Sequence, residues 1–346
     1  MGIGTAVIGV GYWGPNLVRN LASTPDCDLR MLCDRDESRR ANIGRQYPGV
    51  DLTASVDDVL KNSAIDAVVV ATPADTHYEL ALRILESGRS VFVEKPLART
   101  SRECERLIEE ADGQNVQLMV GHTFEFNVAV EYVEDLIEAR ELGQVYYIYS
   151  QRLNLGVVRQ DVNALWNLAP HDISIAMRWL KREPLRVAAR GYTYLQAGVE
   201  DVVYLDLEFE GGVAVHIHVS WLDPGKVRRM TVVGSRKMVV YDDASTEGKI
   251  QLFDKGIDRE QLDDSLGEFD SFGKFQLTQR AGDVLIPKID FSEPLKRECN
   301  HFVQSVVEGR RPLTDGRNGL RVVRVLEAAT RSLQGGGIAI ELDSLD

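Results

Sequence analysis

The chain has 346 residues, with 53 acidic against 40 basic side chains, a net charge of -13, 44% hydrophobic and 27% charged residues. That length suits about two domains of roughly 150 residues each. The apolar share is that of a core-forming chain and excludes an intrinsically disordered one. The negative balance argues against a nucleic-acid partner, which needs a basic stripe to displace counterions.

The longest apolar runs, such as residues 67–71, fall far short of the roughly 20 residues that span a bilayer, so no membrane partner is expected. Residues 3–9 are apolar but lack a basic leader and run into a glycine turn, so a signal peptide is not expected. Cys27, Cys33, Cys104 and Cys299 form neither a CxxC pair nor a regular framework, which suits a reducing, cytoplasmic setting.

In chain order, residues 4–9 make an apolar run ending in glycine, followed by a helical stretch at 15–22 and a second strand at 29–34. Residues 55–62 read as a short helix opened by Ser55, and 65–71 as a continuous β-branched strand. A helix at 77–87 presents Leu80, Leu82, Ile84 and Leu85. Strands at 91–93 and 116–120 flank a helix at 101–111. Near-continuous apolar strands separated by helices predict a parallel sheet covered on both faces, a doubly wound α/β domain over residues 1–122.

From residue 123 the pattern changes. A helix at 128–139, an extended stretch at 144–154 and a helix at 170–180 precede strands at 187–195, 202–209, 213–221, 228–233 and 238–242. Gly211-Gly212 between two alternating runs signals a hairpin. Residues 123–346 are therefore expected to form an α+β domain with a large, mostly antiparallel open sheet, closed by helices at 294–307 and 318–333. Residues 254–292 are polar and glycine-containing and predict no element.

The first chemical motif is Gly9-Val10-Gly11-Tyr12-Trp13-Gly14, which follows a predicted strand and opens a helix within a βαβ unit. Gly9 permits the tight turn, Gly11 lets the backbone approach a pyrophosphate, and Gly14 allows close helix packing. The helix N-terminus presents free N–H groups to the phosphates. Asp34 ends the second strand some 20 residues further on, where a carboxylate accepts hydrogen bonds from an adenosine ribose. It would repel the 2′-phosphate of NADP, so NAD is the expected cofactor. Arg35 follows, either as a partner for such a phosphate or as a solvated surface charge.

The second motif is Val91-Phe92-Val93-Glu94-Lys95-Pro96. Charged residues end a buried strand at its carboxyl end, where open α/β sheets bind ligands. Lys95 would face the nicotinamide and the substrate, and Pro96 restricts it to extended backbone. As a bland alternative, Glu94 and Lys95 are a surface pair. Thr72-Pro73 would line the same crevice, and His77 opens the next helix as a ligand contact or a cap. His216 and His218 share a strand face by alternation, and no zinc-ligand spacing occurs, so no metal is expected.

GVGYWG with Asp34, then ATPADTH and VFVEKP, resembles the glucose–fructose oxidoreductase/inositol dehydrogenase (Gfo/Idh/MocA) family over essentially the whole chain. The resemblance implies hydride transfer between a nicotinamide cofactor and a sugar or polyol carbon, and a second half whose open sheet mediates a homodimer or homotetramer. It implies that Lys95 sits beside the reacting hydroxyl and that His171, in Trp166-Asn167-Leu168-Ala169-Pro170-His171-Asp172, is catalytic. Asn167 stands where the family commonly has an aspartate; an amide can hydrogen-bond a hydroxyl but cannot take a proton at neutral pH. The stretches GHTFEFN, RLNLG and WNLAPHDI resemble enzymes acting at C3 of nucleotide sugars, UDP-N-acetylglucosamine above all. They mark Phe124, Asn127, Arg152, Asn154 and Asn167 as substrate-side residues, Arg152 as a diphosphate partner or a plain strand charge.

The expected reaction is oxidation of a secondary alcohol by NAD. Neutral imidazole, with an ordinary pKa of about 6.5, suits the base, whereas lysine starts near 10.4. His171 is thus the expected base and Lys95 the donor polarising the oxygen, with the reverse assignment open. The competing readings are an inositol or free-sugar dehydrogenase, a reductase of nucleotide-linked keto sugars, and a non-catalytic dinucleotide sensor.

Overall fold

The computed structural model describes residues 2–156, 158–261 and 275–342. The chain folds as two compact units, Met1–Asn127 with Ser292–Arg331, and Val128–Phe291 with Ser332–Asp346.

The first unit holds a six-stranded sheet: β1 (Ile3–Ile8), β2 (Cys27–Cys33), β3 (Asp51–Thr53), β4 (Ala67–Val70), β5 (Ser90–Glu94) and β6 (Leu118–Gly121). The spatial order is β3-β2-β1-β4-β5-β6, all parallel. It reverses between β1 and β4, the switch point at which such sheets bind ligands. β4 is buried on both faces, as its unbroken run of Ala67 and three valines requires. The helix Ser101–Gln114 runs three residues past the expected end. Thr100 and Glu103 close a reciprocal capping box at its start, and Asn115 ends it in the left-handed region at φ 56°.

The helix Pro294–Glu308 and most of Gly316–Gln334 belong to this unit, not to the second half in which the sequence reading put them. The reason is packing. Leu295, Cys299, Phe302 and Val303 share one core with Val7, Leu17, Leu32, Phe92 and Met119, and the Phe92 and Phe302 rings lie 5.5 Å apart. Thr314 exchanges backbone and side-chain hydrogen bonds with Val120 at 2.8 and 2.7 Å.

The second unit is built on a nine-stranded sheet. Its strands are β7 (Val145–Leu153), β8 (Arg186–Tyr192), β9 (Val202–Phe209), β10 (Val213–Ser220), β11 (Val227–Gly234), β12 (Met238–Asp242) and β13 (Ile250–Phe253). A separate pair, β14 (Gly256–Gln261) and β15 (Phe275–Arg280), precedes β16 (Val284–Leu285) and β17 (Ile340–Glu341). The large sheet runs β16-β13-β12-β11-β7-β10-β9-β8-β17, antiparallel except for the parallel pair β7 and β10. β9 alternates buried and non-buried residues along its length, so one face is covered. The helices Val128–Glu138 and Ala164–Leu180 do this, joined where the Trp179 indole N–H donates to the Val130 carbonyl at 2.9 Å.

Several elements differ from expectation. The helix expected at 170–180 starts at Ala164, because Asn163 caps it by accepting the Trp166 N–H at 3.1 Å, and Pro170 lies inside it instead of opening it. The helix Glu37–Gly44 and the short β3 are additional; Asp36 caps that helix with hydrogen bonds from the Ser38 and Arg39 N–H groups. Within residues 254–292, which suggested no element, β14, β15 and β16 form; residues 262–274 lie outside the described residues.

Candidate functional site

The glycine turn follows β1 at the switch point. Gly9 adopts φ +93°, and a Cβ there would come within 2.7 Å of the Ala71 carbonyl oxygen. A Cβ on Gly14 would stand 2.1 Å from the Gly9 carbonyl oxygen. Neither position admits a side chain. At Gly11 a Cβ would meet only the Arg39 guanidinium at 3.2 Å, so that stretch of backbone is left bare towards a ligand. The helix Gly14–Leu21 begins with Pro15 in its first turn and has no side-chain cap, which leaves its leading N–H groups for an anion. Tyr12 is almost fully exposed and Trp13 partly so.

Asp34 anchors this turn from β2. Its Oδ2 accepts the Val10 N–H at 2.8 Å and its Oδ1 the Asp36 N–H at 2.9 Å. Each carboxylate oxygen keeps a second lone pair for a ribose hydroxyl. Arg35 is exposed, while Arg40 donates to the Asp34 and Arg35 carbonyls at 2.5 and 3.0 Å. Arg39, beside Gly11, is the nearer cation, and sequence spacing did not single it out.

Across the crevice, Thr72 and Pro73 follow β4, and Glu94-Lys95-Pro96 end β5. The Lys95-Pro96 peptide is cis. His77 is 1% exposed and lies behind these loops. Its Nδ1 is 2.7 Å from the Pro96 carbonyl oxygen and its Nε2 2.9 Å from that of Thr72. Burial holds its pKa below the ordinary value, and the neutral ring, with a single N–H, donates to one of these two carbonyls while packing against both loops.

The carboxyl end of β5 is also a buried acid cluster. Glu94 pairs across the sheet with Gly121; its Oε2 accepts the Lys95 N–H at 3.3 Å, and its buried Oε1 has no hydrogen-bond partner. Burial pushes its pKa up to about 7 against the pull of the Lys95 charge. His122, 1% exposed, has no partner for either ring nitrogen, and burial together with Lys95 pushes it down to about 3. Glu298, from the helix Pro294–Glu308, accepts the Thr123 hydroxyl at 2.7 Å, and burial raises its pKa well above the ordinary carboxyl range. Phe124 is half-buried and Asn127 fully buried in the turn that follows.

In the second unit, Asn167 and His171 lie one turn apart on Ala164–Leu180, both half-buried. Arg152, on β7, is 6% exposed and grips Asp172 with two hydrogen bonds, Nε to Oδ2 at 2.8 Å and Nη2 to Oδ1 at 2.9 Å. The planar fork that a diphosphate would use is thus committed to a carboxylate, and it fixes the residue next to His171. Asn154 follows β7 and donates its N–H to the Ser220 carbonyl at 3.2 Å. His216 bonds Asp206 at 2.5 Å, and His218 stacks on Tyr204 with ring centroids 4.3 Å apart. Among the described residues no group of three His, Cys, Asp or Glu could hold a metal ion, and no helix is long and apolar enough to cross a membrane.

Residues 3–122 match a family model described as an oxidoreductase family with an NAD-binding Rossmann fold, and residues 130–240 match the GFO/IDH/MocA C-terminal domain. The chain belongs to the GFO/IDH/MocA family. This oxidoreductase is 25% identical to a scyllo-inositol 2-dehydrogenase (NAD(+)) of Bacillus subtilis, over 98% of this chain and 96% of that one. The structure is similar to that of GenD2 from gentamicin A biosynthesis, solved in complex with NAD, at 26% identity and a TM-score of 0.81, covering 99% and 97% of the two chains. It also shares its fold with a UDP-N-acetylglucosamine 3-dehydrogenase from Acidithiobacillus ferrooxidans, at 21% identity and a TM-score of 0.78, covering 97% and 99%. One curated relative, 30% identical, is matched over 39% of its own length.

The residues of this oxidoreductase fit a dinucleotide. Gly9, Gly11 and Gly14 clear the backbone, the uncapped helix start offers N–H donors, and Asp34 retains acceptor capacity. Sequence reasoning missed Arg39, His122, Asp172 and Glu298. Asp172 was within reach, because a carboxylate directly after His171 on a buried helix requires a partner. Glu298 carries no local signal, since its helix joins the first unit only through the chain's return.

Proposed function

We propose that the protein oxidises the 3-hydroxyl of a nucleotide sugar such as UDP-N-acetylglucosamine to the 3-keto sugar, using NAD. The observation that carries this reading is Lys95 at the carboxyl end of β5, in the same unit as the glycine cradle and backed by the buried Glu94 carboxyl. A bound nicotinamide dinucleotide supplies the hydride acceptor. Lys95 donates a hydrogen bond to the reacting oxygen, and His171 takes the hydroxyl proton as neutral imidazole. Asn167, unable to exchange a proton, orients a hydroxyl. The bidentate Arg152–Asp172 pair holds the helix that carries His171 against β7. Asp34 favours NAD over NADP because its charge repels a 2′-phosphate.

Likeness to the 3-dehydrogenase and the motif stretches around Phe124, Asn154 and Asn167 support the nucleotide sugar. Likeness to the scyllo-inositol enzyme over nearly the full chain supports a second reading, a cyclic polyol. Tyr147, Tyr192 and Tyr204 on the exposed sheet face support a homodimer or homotetramer. The test measures NAD reduction with UDP-N-acetylglucosamine and with myo- and scyllo-inositol, in wild type and Lys95→Met. Turnover with the nucleotide sugar, lost in Lys95→Met while NAD still binds, is expected. Normal turnover of the variant at saturating NAD would overturn the assignment, and turnover with inositol alone would replace the substrate.

A further inference from the structure

The cluster around Glu94 goes beyond what hydride transfer needs. A surface carboxylate would suffice as a counter-charge, yet this one is buried at the ligand-facing end of β5 with an unpartnered Oε1. Several ionisable or polar groups lie around it, from the glycine turn, the loop after β6 and the C-terminal helix. Lys95 is its chain neighbour, and the Trp13 indole lies close enough on the glycine turn to favour the charged form. His122 follows the facing Gly121. Glu298 comes from the C-terminal helix, and Glu125, held by the Asn318 amide at 3.0 Å, lies beyond it. Of these, Lys95 is the single cation. His122 is held neutral by burial and by the Lys95 charge, and burial and the Glu94 charge push Glu298 towards its protonated form.

We infer that Glu94 is a proton-exchanging counter-charge that lets the protein distinguish the oxidised from the reduced dinucleotide. The inference rests on the dinucleotide-binding reading. An oxidised nicotinamide ring carries a positive charge and the reduced ring carries none. One unit charge placed beside a buried carboxyl moves it by about one to two pKa units. Binding of the oxidised form therefore converts the Glu94 carboxylic acid to carboxylate and releases its proton to solvent. Binding of the reduced form leaves the proton in place. Glu298 acts as a positioning residue: as a neutral acid anchored by Thr123 it adds no second negative charge, so the exchangeable proton belongs to Glu94.

With the free group titrating near pH 7, the oxidised dinucleotide should release about half a proton at pH 7 and close to none at pH 9, while the reduced one releases none at either. Calorimetric titration of the wild-type protein in buffers of different ionisation enthalpy reads this directly and needs no turnover. Glu94→Gln should abolish the buffer dependence and, at pH 8, weaken binding of the oxidised relative to the reduced form by about tenfold. Glu298→Gln should preserve the release. Equal release with both forms, or none with either, would overturn the inference, as would release that survives Glu94→Gln or disappears in Glu298→Gln. Failure of both dinucleotides to bind wild type would instead remove the underlying reading, and the inference with it. The wild-type titrations decide the matter even where a variant fails to fold.

Discussion

Replacing Asp172 by asparagine is the sharpest test of how the second unit is held together. The Arg152 and Asp172 side chains are 7% and 2% exposed, and they share two hydrogen bonds of 2.8 and 2.9 Å. Asp172→Asn leaves a buried guanidinium facing an amide, a change that costs about 3–5 kcal/mol when the remaining charge has no other partner. Asp243 and Tyr241 also bear on Arg152, so the loss should fall at the lower end, about 3 kcal/mol. That is a large share of the roughly 5–15 kcal/mol that holds a domain folded. Urea unfolding followed by tryptophan fluorescence measures it, since Trp166, Trp179 and Trp221 all lie in this unit. The double variant Arg152→Met/Asp172→Leu should recover most of the loss, because both buried charges are then gone. A single-variant loss below about 1 kcal/mol, with a raised KM for the nucleotide sugar, would show that the pair does not hold the fold and return Arg152 to the role of a diphosphate ligand.

Three further outcomes are expected. Gly9→Ala forces a side chain to φ +93° and to 2.7 Å from the Ala71 oxygen; it should cost about 1–3 kcal/mol in stability and weaken dinucleotide binding, both read by thermal melts with and without NAD. Asp34→Asn keeps the shape but removes the charge, so the affinity ratio of NADP to NAD should rise by about tenfold in equilibrium titrations; an unchanged ratio would show that the carboxylate does not face the ribose. Glu94, with a folded pKa of about 7 against an ordinary 4.5, binds its proton more tightly in the folded state. Its contribution is therefore full below about pH 4.5 and lost as pH rises through 7, by about 3 kcal/mol. Glu94→Gln should flatten that slope in denaturation curves taken from pH 4.5 to 8, with Glu298 adding a residual slope of the same sign.

Much of this was legible in the chain. The β-branched run of β4 admits no structure but a strand buried on both faces, and the alternation in β9 shows a sheet with one covered face. The glycine spacing at 9, 11 and 14 needs a tight turn that no side chain could enter. What was not legible depends on partners distant in sequence. Pro170 reads as a helix start, because the Asn163 cap that lets the helix begin six residues earlier can be recognised only from its hydrogen bond. Arg152 reads as an exposed strand charge or a phosphate ligand until Asp172, twenty residues on, is found against it. The helix carrying Glu298 reads as a terminal element of the second half, yet Phe302 and Cys299 belong to the first unit's core. His77 reads as a helix cap, but its two ring nitrogens reach carbonyls on two different loops.

Whether this protein draws a hydride from C3 of a nucleotide sugar can be read by isotope transfer. UDP-N-acetylglucosamine deuterated at C3 is incubated with the protein and NAD, and the dinucleotide is then weighed by mass spectrometry. Wild type should form reduced dinucleotide one deuterium heavier, and Lys95→Met should form none. Reduced dinucleotide without deuterium, or a label that stays on the sugar while NAD is reduced, would contradict that transfer.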